Sequence, residues 1–167
     1  MLIRELGERD ASAYYALRLE GLEREPRAFG SDADSFRGTP LDAVGERLRA
    51  SDNVFTLGAF DDGRLVGITT FARETGAKTR HKANVFGVYV REDARGRGVA
   101  NALLGELIRR ARQISGVEQL HLAVSVTQTA ARRLYDAHGF VVYGVEPRAL
   151  KVHGEYVDEE WRALRLA

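Results

Sequence analysis

The sequence predicts one α/β domain over residues 1–167, built on a mixed, mainly antiparallel sheet flanked by about four helices. Three observations carry this. Asp61-Asp62-Gly63-Arg64 joins two runs rich in β-branched and aromatic residues, the pattern of a hairpin. The strand-like run Val85 to Val90 leads through a glycine loop into apolar residues at 99, 103, 104, 107, 108 and 111, which fall on one helical face. The alternating run Glu118 to Val124 follows; strand, helix and strand in that order need a crossover, which makes the two strands parallel neighbours.

Taken in order, Leu2 to Glu5 alternates as a first strand, and Asp10 stands as the N-cap of a helix with Ala11, Tyr15, Leu19 and Leu22 on one face. Glu25-Pro26 ends it, and Phe29 to Gly38 reads as a polar connection. Thr39-Pro40 supplies N-cap and N1 of a second helix striped by Leu41, Val44 and Leu48. The hairpin strands are Val54 to Phe60 and Leu65 to Arg73, followed by a basic loop, Thr75 to Arg80. The central strand is buried, and Ser115-Gly116 closes the helix after it. Beyond Glu118 to Val124, Thr127 caps a helix whose face holds Ala130, Ala131, Leu134, Tyr135 and His138, and Gly139 occupies a left-handed C-cap. Phe140 to Tyr143 and Tyr156 to Leu166 complete the strands, with a turn near His153-Gly154.

A chain of 167 residues buries roughly 70% of its unfolded surface around one core. Its 25 basic and 24 acidic residues leave a formal charge of +1, too little for a broad field toward nucleic acid or an anionic membrane, so neither partner is expected. The absence of cysteine excludes disulfides, a thiol nucleophile and thiolate metal sites, and no His and carboxylate spacing suits a metal. No run approaches the ~20 apolar residues of a membrane span, and the N-terminus lacks a signal-peptide stretch, so a soluble cytoplasmic protein is expected, with a homodimer admitted.

The loop itself is Arg95-Gly96-Arg97-Gly98-Val99-Ala100. A helix start leaves unpaired N–H groups and partial positive charge, and glycines let backbone approach a ligand closely. With Arg95 and Arg97 adjacent, the expected guest is a phosphate or pyrophosphate, although a plain strand-to-helix connection uses glycines too. A Walker loop is excluded because no Lys-Ser/Thr follows Gly98, and G-x-G-x-x-G fails at Asn101. An RNA-binding reading of the two arginines lacks an aromatic stacking array.

Arg95, Gly98 and Ala100 resemble the acetyl-CoA motif of the GCN5-related N-acetyltransferases: Arg or Gln, two residues, Gly, one residue, Gly or Ala. Roughly thirty residues on, Ala131, Leu134, Tyr135, Gly139 and Phe140 match the family's Asn-x-x-Ala-x-x-Leu-Tyr-x-x-x-Gly-Phe run, with Gln128 in the Asn position. The resemblance implies the acetyltransferase fold over most of the chain and acetyl transfer from acetyl-CoA to a primary amine on a small molecule, amino acid or peptide end. It implies a cofactor site made of Val88, Tyr89, Val90, Arg95, Gly96, Arg97, Gly98, Val99, Ala100 and Gln128, with strand backbone on the pantetheine arm and loop amides on the pyrophosphate.

Tyr135 is the general acid that the resemblance implies; as a residue on an apolar helix face it is equally a core tyrosine. The base is unassigned. Where relatives carry glutamates this chain has Val85 and Ala123, leaving Glu20, His81 and His121, each with an ordinary structural role as its alternative. Without cysteine the commonest covalent carrier is missing, which favours direct attack in a ternary complex. Phe29, Tyr143 and Tyr156 are the residues expected around the acceptor. The competing function is an acyl-CoA-binding sensor without turnover, favoured by the missing glutamates and by Gln128.

Overall fold

The computed structural model describes residues 1–166; Ala167, the last residue of the expected domain, lies outside the described residues. In chain order the elements are β1 (Leu2–Glu5), α1 (Ala11–Arg24), α2 (Ala33–Arg37), α3 (Leu41–Arg47), β2 (Val54–Asp61), β3 (Arg64–Arg73), β4 (Lys82–Val90), α4 (Val99–Ala111), β5 (Gln119–Ser125), α5 (Thr129–Ala137), β6 (Val141–Val152) and β7 (Glu155–Arg165). The strands form one sheet of seven in the order β1-β2-β3-β4-β5-β7-β6, antiparallel except for β4 beside β5. The crossover through α4 is what makes that one pair parallel.

The helices cover both faces of the sheet. Against one, α4 buries Val99, Leu103, Leu104, Leu107, Ile108 and Ala111, the six positions that its periodicity predicts, alongside Phe71 and Leu120. Each such leucine contributes about 1.5–3 kcal/mol through burial. On the other face α1 and α3 pack Leu17, Val44 and Leu48 against Ile68 and Tyr89.

Several expectations need correction. Asp10 does not cap α1 with its side chain; its carboxylate accepts from Arg4 and from the Gly7 amide, which ties β1 to the 3-10 turn Glu8–Asp10. Leu17, not Tyr15 or Leu19, is the fully buried residue at the middle of α1. The supposed connection after Phe29 contains α2, capped by Asp32, whose side chain accepts from the Ser35 amide. Pro40, not Thr39, is the N-cap of α3, and Leu41 lies exposed. Gln128 replaces Thr127 as N-cap of α5, because the Thr127 hydroxyl is held by that of Ser125. Strand β6 continues to Val152, carried past Tyr143 by its ladder to β7.

β4 begins earlier than expected, at Lys82, and is not buried throughout: Phe86 is 55% exposed. Ile68 pairs with Tyr89 and Thr70 with Phe86, so Gly87 and Val88 together oppose one residue of β3. Gly87 has φ +60, which glycine accepts without the Cβ penalty. Such a bulge bends its strand. The parallel pairing with β5 stops at Asn84↔His121, and from there the two strands part.

α5 is fastened to β7 by charge. Glu160 accepts from Arg132 at 2.7 Å and from both Nε and Nη2 of Arg162, while Arg162 Nη1 donates to Asp136 at 2.6 Å. Arg162 is 2% exposed and Glu160 7%. Burial opposes the Glu160 charge, yet the hydrogen bonds from Arg132 and Arg162 outweigh it and hold its carboxyl below the ordinary carboxylate range.

Glu160→Ala leaves Arg162 buried with Asp136 as its remaining carboxylate, and is expected to lower stability by about 3 kcal/mol in chemical denaturation. Because the folded-state carboxyl is lowered, this contribution is full above the unfolded value near pH ~4.3 and is lost as pH falls through the folded one. An unchanged midpoint in the variant at neutral pH contradicts the fastening role.

Candidate functional site

The gap between β4 and β5 opens into two adjoining cavities. The first, about 380 Å³, runs from Val88–Val90 past the loop Ala94–Gly98 and the first turn of α4 to Ala130, Ala131 and Leu134 of α5. The second, about 340 Å³, lies between the bulged part of β4, the Leu122–Val124 edge of β5, α1 and β7. Ala28, Phe29, Val88, Gln128 and Ala131 line both, so the two are one continuous cleft.

In the loop, Gly96 and Gly98 hold φ +73 and +76, and Gly98 is the N-cap of α4. A Cβ at either position would meet nothing within 4 Å, so the space above the loop is open. The amides of Gly96 to Asn101 find no backbone acceptor among the described residues; the first bond of the helix is Ala102 N–H to the Gly98 carbonyl. Unpaired N–H groups at the start of a 13-residue helix form an anion cradle. The arginines contribute less than expected. Arg95 donates to the Val90 carbonyl at 2.9 Å and to Glu25 at 3.1 Å, and Arg97 pairs with Asp61 at 2.8 Å. The uncommitted donors of the loop are therefore its amides.

Tyr135 is 6% exposed, lies edge-on to Phe140, and lines the second cavity. Its hydroxyl makes no hydrogen bond among the described residues. Burial pushes its pKa up to about 12, against the opposing charge of Arg162, so it keeps its proton across the neutral range. Gln128 sits half-buried where the two cavities join. Tyr89 borders the first cavity, but its ring packs on Gly21 and its hydroxyl donates to Glu20 at 3.0 Å.

None of the three base candidates reaches the cleft. Glu20 is engaged by Tyr89 and by Arg91 at 3.1 Å on another surface. His81 lies just before β4, at the closed end of the β4–β5 pair, where its carbonyl accepts from Glu118. His121 faces Tyr143, 3.2 Å from Nδ1 to the hydroxyl, and burial, then the charge of Lys82, lowers its pKa. Tyr143 and Tyr156 are 58% and 48% exposed and border neither cavity, whereas Phe29 lines both.

What sequence reasoning missed is Glu159, which lines the second cavity together with Trp161. Burial, then the nearby Glu146, raises its pKa above the usual carboxylate value. Its signal was Asp158-Glu159-Glu160, three acids inside a strand where acids are disfavoured.

The sequence pattern described as the Acetyltransferase (GNAT) family matches residues 18–140. The chain belongs to this family. The acetyltransferase is 32% identical over 118 residues, 71% of its own length and 72% of the relative's, to the L-amino acid N-acetyltransferase AaaT of Escherichia coli (strain K12). Among solved structures it superposes on a GNAT-family acetyltransferase from Streptococcus pneumoniae with a TM-score of 0.88 and 26% identity, covering 99% of both chains. It shares its fold with yncA, a putative acetyltransferase from Salmonella typhimurium whose structure includes acetyl-CoA, at a TM-score of 0.82 and 23% identity, covering 100% of this chain and 94% of that one. Among the described residues no helix is long and apolar enough to cross a membrane.

Gly98→Glu places a carboxylate against the open amides and is expected to weaken acetyl-CoA binding roughly a thousandfold by calorimetry. Gly98→Ala carries the same φ penalty without the charge and separates the two effects. Equal affinity for the Glu and Ala variants would remove the anion-cradle assignment.

Proposed function

We propose that the enzyme uses acetyl-CoA as donor and acetylates the primary amine of a small molecule, amino acid or peptide end by direct attack in a ternary complex. The observation that carries this reading is the continuity of the cleft: unpaired amides at one end, Tyr135 and Glu159 at the other, and Val88 between them. The named activity of the Escherichia coli relative, an L-amino acid N-acetyltransferase, points to an amino acid within that range.

The residues present fit acetyl-CoA. Amides of Gly96 to Ala100 would take the pyrophosphate, and the backbone of Val88 to Val90, unpaired with β5, would take the amide-rich arm. Arg95 and Arg97 hold the loop in shape through Val90, Glu25 and Asp61. When bound, acetyl-CoA supplies an acyl carbon and a sulfur leaving group, so that a C–N bond replaces a C–S bond and one proton passes from nitrogen to sulfur. Tyr135 holds a proton on its phenol oxygen for the sulfur, and Glu159 accepts one from the amine. Gln128 offers an amide at the junction. A sensor without turnover needs neither a loaded phenol nor a carboxylate of raised pKa in the cleft, and Glu159 supplies the acid–base partner whose absence favoured that reading.

Tyr135→Phe keeps the ring and removes the proton source, so kcat is expected to fall ~10²- to 10⁴-fold, about 3 to 5 kcal/mol, with little change in acetyl-CoA affinity. A variant less stable by about 1 kcal/mol with unaltered kcat would mark a purely structural tyrosine.

The pH profile tests Glu159. As a base it works ionised, and because its pKa is raised, activity should climb at higher pH than an ordinary carboxylate would give. Tyr135, near 12, stays protonated and imposes no fall in the same range. Since the free-amine fraction also grows with pH, the limb due to Glu159 is the difference between wild type and Glu159→Gln. Superimposable profiles would exclude it.

A further inference from the structure

The second cavity contains a cation that the acid–base chemistry above does not use. Arg18, on α1, lines it beside Phe86, Gly87 and Val88. Its Nη1 is buried with no hydrogen-bond partner among the described residues, and its guanidinium makes no ion pair there. The contrast with Arg162 is direct: that buried guanidinium is satisfied by Glu160 and Asp136. Burial followed only partly by compensation from Tyr14 lowers the Arg18 pKa, as expected of a charge without a counter-ion. A buried unpaired charge is costly, and the cost is relieved when an anion arrives.

The position of the guanidinium defines which anion. It lies over the Phe29 ring, 4.6 Å from the centroid, so one face is covered by an aromatic wall and its N–H edge remains for a ligand. Nη1 is buried 3.6 Å from where a Cβ would stand on Gly87, so the bulge of β4 closes over that end of the fork. Val88, whose backbone is proposed to hold the amide-rich arm of the donor, is the next residue, one Cα step of about 3.8 Å away. In a free α-amino acid the amine and the carboxylate share one carbon. An acid group seated on Arg18 therefore leaves the amine within a residue's reach of Val88, where Glu159 and Tyr135 also border the cavity.

We infer that Arg18 is the carboxylate anchor of the acceptor site and that the enzyme acetylates free α-amino acids. Peptide ends, in which that carboxylate has become an amide, and simple alkylamines are poor acceptors. A guanidinium takes a carboxylate through two parallel N–H bonds, which neither an amide nor a hydrocarbon reproduces. This inference rests on the reading of the cleft as an acetyl-transfer site.

The test compares leucine with leucinamide, 3-methylbutylamine and 4-aminobutanoate, following CoA thiol release and product mass. Wild type should favour leucine over leucinamide about a hundredfold in kcat/KM, chiefly through KM, the size expected for charge-assisted hydrogen bonds. 4-Aminobutanoate, whose acid group is remote from its amine, should not recover the preference. In Arg18→Gln the leucine-to-leucinamide ratio should collapse toward one, and Arg18→Lys should restore part of it. Calorimetric binding of leucine to the CoA-loaded protein reads the same contact without turnover and should weaken about a hundredfold in Arg18→Gln. If wild type acetylates leucine and leucinamide equally, or the ratio survives in Arg18→Gln, the anchor is wrong while acetyl transfer stands. If no amine is acetylated yet leucine binding depends on Arg18, the anchor stands and the transferase reading falls.

Discussion

Backbone polar groups released where β4 parts from β5 are the constraint on which the rest of the site depends. A sheet interior satisfies its N–H and C=O groups through neighbouring strands, and groups left over must find water or a ligand. Here the parallel ladder ends at Asn84↔His121, and the Gly87 bulge lies just beyond. The same divergence opens the two cavities and exposes Val88 between them. It also points the freed strand toward the loop before α4, where a second set of backbone donors waits. An amide-rich, pyrophosphate-bearing ligand suits both sets, which is why a site of this kind needs few charged side chains of its own.

The other wall of the cleft is held by a different force. Tyr135 sits between Arg132 and Asp136 on a helix whose outer residues are largely exposed, so burial alone fixes α5 weakly. The pairing of Glu160 with Arg132 and Arg162 fixes its position over β7. Removing such buried charges from water is expensive, and the geometric return is a phenol held at one place on the cavity wall. Glu159, the neighbour of Glu160 on β7, turns its carboxylate the other way, into the cleft. Alternation along one strand thus separates a structural carboxylate of lowered pKa from a free one of raised pKa.

Much of this was legible in the sequence where local chemistry decides structure. The face of α4, the Asp62-Gly63 turn with both residues at positive φ and the left-handed Gly139 all follow from short-range rules. What could not be read depends on partners distant in the chain. Arg95 and Arg97 appeared as free charge because nothing local shows Glu25 or Asp61 folding onto them. Glu20 and His121 were plausible bases until Tyr89, Arg91 and Tyr143 were seen to occupy them. Arg18 and Glu159 escaped notice for the opposite reason: among many charged residues, lacking a partner is a tertiary property. The bulge at Gly87 turned Phe86 outward in a run that otherwise read as continuous core.

The proposed donor contacts are backbone groups of the parted strand and of the glycine loop. Amide hydrogen exchange with and without acetyl-CoA reads those groups individually. Slowed exchange concentrated at Gly96 to Ala100 and at Val88 to Val90, with the buried middle of α4 at Leu103 to Ile108 unchanged, is the expected result. Binding of acetyl-CoA that leaves the exchange of both segments unaltered would contradict the claim and place the donor elsewhere on the protein.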